Sequence, residues 1–100
     1  MNIIFDFMFE YNNTKILLEF DGMQHFEFVP YFHKNELEFE QRKTIDIMKT
    51  KKGIEAGYRI IRIDYTEIDN IENHIENGMN SNELLYLSDP TMYEYITETS

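Results

Sequence analysis

The spacing of apolar residues changes period along the chain and marks out its elements. Asn2 to Glu10 reads "NIIFDFMFE" and Lys15 to Asp21 reads "KILLEFD", two short runs of β-forming residues around Asn12-Asn13. Asparagine tolerates positive φ, so this pattern predicts two strands joined as an antiparallel hairpin. Gly22 ends the second strand. The next stretch, "QHFEFVPYFHK" (Gln24 to Lys34), holds Pro30 and many aromatics and reads as a packed loop.

From Asn35 to Ala56 the pattern is helical. Asn35 suits the cap, and acids in the first turns suit the helix dipole. Leu37, Ile45, Met48 and Lys52 fall near one stripe, roughened by Leu37 with Phe39. Gly53 weakens this helix by about 1 kcal/mol relative to alanine, and Gly57 stands where a glycine stops it. "YRIIRI" (Tyr58 to Ile63) follows at once as a β-branched strand, so helix and strand form an αβ unit on one sheet. Ile68, Ile71 and Ile75 predict a shorter helix over Thr66 to Asn77. Asn80 to Ser100, with Leu84, Leu85, Leu87, Tyr93 and Tyr95, reads either as a small packed helix or as a loose tail.

Composition narrows the class. One hundred residues with 42% hydrophobic content suit a single globular domain. No apolar run reaches the roughly 20 residues that span a bilayer, and the N-terminus lacks the pattern of a signal peptide. The absence of cysteine removes disulfides and thiolate metal sites. A cytosolic setting without membrane contact is the expectation. Net charge is −10, unevenly placed: ten acids face nine bases up to Arg62, and nine acids with no base follow. The expected division is therefore a core domain over 1–79 and an acidic C-terminal extension over 80–100. Between Arg42 and Arg62 the balance reverses, and Arg42, Lys43, Lys49, Lys51 and Lys52 form a basic element. It can meet a phosphate backbone, or simply be a solvated helix face.

Three acids stand out. Asp6 lies between two phenylalanines, and charged groups are costly to bury unless paired or bound to metal. Glu19 and Asp21, two apart on a strand, point to one sheet face. If the first two strands pair, Asp6 comes near that face. Three carboxylates there repel one another, and a divalent cation such as Mg²⁺ or Mn²⁺ resolves the repulsion. The alternative is an ordinary amphipathic strand with Glu19 and Asp21 in solvent. His25 follows Gly22, where a loop can fold back over the strand end, and imidazole can bind metal or shuttle protons. His33 and His74 lack acidic neighbours at useful spacing. Asp46 and Lys49 sit one helical turn apart. There is no Gly-rich phosphate loop, no G-x-S-x-G and no H-E-x-x-H.

Taken together, "FDF" (Phe5 to Phe7), "LLEFDGMQHF" (Leu17 to Phe26), "DIMK" (Asp46 to Lys49) and "GYRIIRIDY" (Gly57 to Tyr65) resemble a small nuclease family. This is the PD-(D/E)xK superfamily, near the very-short-patch-repair endonucleases and the phage homing endonucleases with an E-D-x-H-D active site. The resemblance runs from about Ile4 to Tyr65. It implies a minimal restriction-endonuclease-like α/β (α+β) fold, with a mixed central sheet flanked by helices, and Mg²⁺- or Mn²⁺-dependent cleavage of DNA by a viral or phage enzyme. Carried over, Asp6 matches the first metal-binding acid and Glu19 the acid of the (D/E)xK element. Asp21 stands where the superfamily usually has lysine. Gln24, His25, Asp46 and Lys49 match the groups this subgroup uses in its place. The implied metal ligands are Asp6, Glu19 and Asp21, with His25 as general acid or base and Lys49 offsetting phosphate charge. The helix that supplies a further glutamate in related enzymes, and a separate DNA-reading module, have no counterpart in the sequence. An inactive nuclease-fold module that binds a protein partner, such as a virus-encoded inhibitor, is the second expectation, and a homodimer is compatible with either.

Overall fold

The structure, a computed structural model, describes residues 5–98. Phe7–Tyr11 (β1) and Thr14–Asp21 (β2) pair antiparallel, with Phe7 opposite Leu18 and Tyr11 opposite Thr14. Asn12 and Asn13 make the turn at φ 51° and 63°. Two successive left-handed residues follow the twist of the flanking strands, which is why this dipeptide closes the hairpin. The first strand expected from Asn2 begins outside the described residues, and within them pairing starts at Phe7.

Glu36–Glu55 (α1) is the long helix. The Asn35 side chain accepts a hydrogen bond from the Glu38 backbone N–H at 2.9 Å, as an N-cap does. The helix stops at Gly57, whose φ of +95° would strain a residue carrying a Cβ. Arg59–Asp64 (β3) then runs parallel to β2, with Ile16 opposite Arg59 and Asp21 opposite Asp64.

The second helix differs from its expectation. Tyr65–Asn70 is a 3₁₀ segment, and only Ile71–Asn80 (α2) is α-helical. The Asp64 carboxylate accepts the Thr66 N–H at 3.0 Å and so fixes a tight turn directly after β3. Glu67 then breaks the helical path, leaving Ile68 exposed while Ile71 and Ile75 reach the core.

Leu85–Leu87 (β4) pairs parallel with β3, giving the order β1-β2-β3-β4. One antiparallel and two parallel pairings make a mixed sheet, and with its helices the fold is α+β. The segment after residue 80 joins the sheet and the core. β4 belongs to the sheet, Tyr93 and Ile96 are buried, and Glu94–Thr97 (α3) packs against α1. Charge set this segment apart because Glu83, Glu94 and Glu98 are exposed, whereas its apolar side chains decide its packing.

Strand alternation sends the two sheet faces to different helices. Ile16, Leu18, Ile61 and Ile63 form one face and pack with Ile71, Ile75 and Met79 of α2. Leu17, Glu19, Asp21, Ile60 and Arg62 form the other, under α1. A Cβ at Gly53 would lie 2.8 Å from Ile60 Cδ1, so glycine lets α1 approach the sheet closely. The buried residues of α1 are Asp46, Lys49, Thr50 and Gly53. The expected Leu37–Ile45–Met48–Lys52 stripe is not its inner face; Leu37 and Lys52 are exposed. The helix turns a polar side inward because the sheet it covers is polar at the ends of β2 and β3. No helix among the described residues is long and apolar enough to cross a membrane.

Candidate functional site

The site lies at the C-terminal ends of the parallel strands β2 and β3, beneath α1, where open sheets that carry helices bind their ligands. Asp21, the last residue of β2, is 1% exposed. Arg62, opposite Glu19 on β3, donates from Nε to Asp21 Oδ2 at 2.9 Å and from Nη2 to Oδ1 at 2.7 Å. Arg62 Nη1 donates to Thr50 Oγ1 at 3.1 Å, and Thr50 in turn donates to the Asp46 backbone carbonyl at 2.8 Å. This fork ties the sheet to the middle of α1.

His25 arrives from the other side. Gly22 leaves β2 in extended conformation, and Met23–His25 forms a short 3₁₀ turn that folds the imidazole back over the strand end. His25 Nδ1 lies 2.8 Å from Asp46 Oδ2 and 3.5 Å from Asp21 Oδ1. Asp21, His25 and Asp46 thus form a buried group whose ligand atoms lie within 4.8 Å of one another and could hold a metal ion. The donor set of two carboxylates and one imidazole fits a divalent cation. Asp46 Oδ1 is buried without a hydrogen-bond partner, an acceptor left open. Arg62 Nη2, 3.4 Å from that oxygen, already supplies one positive charge.

Glu19 sits one position deeper on the same face. Its Oε1 accepts from Lys49 Nζ at 3.2 Å, and its Oε2 is buried without a partner. Burial pushes the Glu19 carboxyl up, and nearby Asp6 adds to this, so that Lys49 and Arg62 only partly offset the rise. Asp46 moves the other way. Burial raises it, but the His25 hydrogen bond, the Arg62 charge and the Tyr95 hydroxyl together hold it below the usual carboxylate range. Arg62, facing Asp21 and Asp46, is held firmly protonated despite its burial.

The sequence-derived residues are partly gathered here. Glu19, Asp21, His25, Asp46 and Lys49 all converge beneath α1. Asp6 does not point into the group: it is exposed, and its Oδ2 accepts the Phe20 backbone N–H at 2.7 Å. The compact group is formed by Asp21, His25 and Asp46; of the expected ligand set of Asp6, Glu19 and Asp21 it contains Asp21. Glu19 is engaged with Lys49 instead. Gln24, half-buried, folds its carboxamide back over Gly22. The basic residues do not make one patch. Lys49 is buried, Arg42 leans 3.6 Å from Asp46 Oδ1, Lys43 lies over the Phe39 ring, and Lys51 and Lys52 are exposed on α1. His74 has the acidic neighbour the sequence hid, Glu67, at 2.8 Å, and its other nitrogen meets the Tyr86 hydroxyl.

Four partners escaped the sequence reading. Arg62 left a signal, a charge in the middle of an isoleucine strand, which has to be paired when buried. Thr50 and the tyrosines of the C-terminal segment left none. Tyr93 donates to Asp21 Oδ2 at 2.7 Å and Tyr95 to Asp46 Oδ2 at 2.8 Å.

No family profile and no solved structure matches the chain. It is similar to "Uncharacterized protein 307L" of Invertebrate iridescent virus 6, at 33% identity over 55 residues. The match covers 55% of this chain and 28% of that protein, so the chain corresponds to about a quarter of its relative.

Proposed function

We propose that the protein is a metal-dependent nuclease that hydrolyses DNA phosphodiester bonds. The observation that carries this reading is the convergence of Glu19, Asp21, His25, Asp46 and Lys49, drawn from a strand, a turn and a helix, at the ends of two parallel strands. Asp21, His25 and Asp46 would hold the cation, of the Mg²⁺ or Mn²⁺ class. When bound, it supplies a water of lowered pKa and a clamp on the phosphate oxygens. The chain does the rest. Glu19 Oε2, the open acceptor, takes the proton of the attacking water. Lys49 holds Glu19 through Oε1 and offsets charge on the scissile phosphate. Exposed Lys51 and Lys52 on α1 meet the backbone further along, while Arg62 keeps Asp21 oriented.

A second reading has its own observation. Both oxygens of Asp21 already accept hydrogen bonds from Arg62, and one also accepts from Tyr93. A site so completely paired also suits an inactive nuclease fold that serves as a protein-binding module.

The deciding experiment incubates the purified chain with supercoiled plasmid and single-stranded DNA in Mg²⁺ or Mn²⁺. Nicking that is abolished by chelator, and reduced at least about 100-fold in Glu19→Gln and Asp46→Asn, supports the nuclease. A folded wild-type chain that cuts neither substrate with either metal leaves the binding module as the better account.

A further inference from the structure

Two hydroxyls at the site have no task in the chemistry above. Tyr93 is fully buried, and its hydroxyl reaches Asp21 Oδ2 at 2.7 Å; Tyr95 is half-buried and reaches Asp46 Oδ2 at 2.8 Å. Both come from the C-terminal segment, yet each meets a different carboxylate of the cation-competent group. Both also pack against one ring. Phe26 stands edge-on to Tyr93 at 5.1 Å and to Tyr95 at 6.2 Å. Phe26 directly follows His25, so a single aromatic cluster fixes the imidazole-bearing turn and both phenols.

We propose that Tyr93 and Tyr95 are positioning residues that hold Asp21 and Asp46 in the orientation a divalent cation requires. This rests on the metal-dependent reading above. An ionised carboxylate has about four acceptor directions and rotates freely about its last bond. Each phenol occupies one further direction on an Oδ2, adding to the hold of Arg62 on Asp21 and of His25 on Asp46. The pairing leaves Asp46 Oδ1 without a hydrogen-bond partner. Hydrogen-bond partners of ligating carboxylates typically contribute about 10–100-fold to metal affinity. The C-terminal segment is therefore part of the site, although no sequence motif marks it.

The test is calorimetric titration of the full chain with Mn²⁺, comparing wild type with Tyr93→Phe, Tyr95→Phe and Tyr86→Phe. Tyr86 bonds His74 on the other sheet face and serves as the control. Urea midpoints measured in parallel separate loss of fold from loss of positioning. The expected result is a Kd about 10-fold or more weaker in Tyr95→Phe and Tyr93→Phe, with Tyr86→Phe unchanged. If the fully buried Tyr93→Phe does not fold, Tyr95→Phe decides. Unchanged affinity in Tyr95→Phe overturns the proposal and leaves the cation site standing. Tighter binding overturns it too, and makes the tyrosines competitors of the cation. If the wild type binds no Mn²⁺ at millimolar concentration, the metal reading itself falls, and this inference with it.

Discussion

Arg62 and Asp21 meet through a two-pronged pair across the β2–β3 boundary, at 2.9 and 2.7 Å, with both side chains fully buried. The planar guanidinium matches the carboxylate edge, a geometry that lysine cannot reproduce. Removing one partner leaves the other charged in a dry setting. Arg62→Met is therefore expected to destabilise the fold by about 3–5 kcal/mol. Adding Asp21→Leu to Arg62→Met should recover part of that loss, because it removes the orphaned charge. Urea denaturation of both variants measures this. Equal stability of Arg62→Met and wild type would falsify the pairing as a structural element.

Asp46 should set part of the acid limb of stability. Its folded pKa lies below the ordinary value of 3.8, so it binds its proton less readily folded than unfolded. Its contribution is present above pH 3.8 and is lost as pH falls through the lowered folded value. With chelator present, Asp46→Asn should be less stable than wild type at pH 7, and the gap should narrow as pH drops below about 4. Urea midpoints across pH 2.5–7 (about half-unit steps) read this directly. A gap that stays constant with pH would mean that Asp46 acts through shape rather than charge.

Gly53 makes room for α1. Alanine there would improve helix propensity by about 1 kcal/mol. However, its Cβ would meet Ile60 Cδ1 at 2.8 Å and Leu17 Cδ1 at 3.1 Å. Those are side-chain ends that can shift, so Gly53→Ala is expected to be close to neutral. Gly53→Leu adds more volume than the contact can absorb and should cost about 1–3 kcal/mol. It should also weaken cation binding, because α1 carries Asp46. Full cation affinity in a folded Gly53→Leu would show that the helix position is not critical to the site.

The acidic C-terminal segment should behave as core rather than as an electrostatic brake. Ile96 is 7% exposed, and Tyr93 has no exposure. Ile96→Ala is expected to cost about 2–4 kcal/mol. A chain ending at Asp89 should lose stability and cation binding together. Should that truncated chain instead keep its thermal midpoint and bind DNA more tightly at low salt, the segment repels the polyanion rather than completing the core.

Much of this protein is written locally. Asn12-Asn13 fixed the hairpin because few residues accept two consecutive positive φ angles. Asn35 and Gly57 bracketed the long helix, since a cap and a left-handed stop are short-range matters of backbone geometry. The spacing of Glu19 and Asp21 placed both on one face, because strand alternation has a period of two. Other features were decided only by folding. Which side of α1 faces the sheet went against hydrophobic patterning: the surface it covers carries Asp21 and Arg62, and a polar face must meet polar partners. Asp6, adjacent to its expected place, turns to a backbone N–H because it lies just before β1 begins. Arg62 comes from 41 residues beyond Asp21, and Tyr93 from 72. Pairings over such separations follow from strand order and from how the last segment closes over the sheet, which no local pattern of residues encodes.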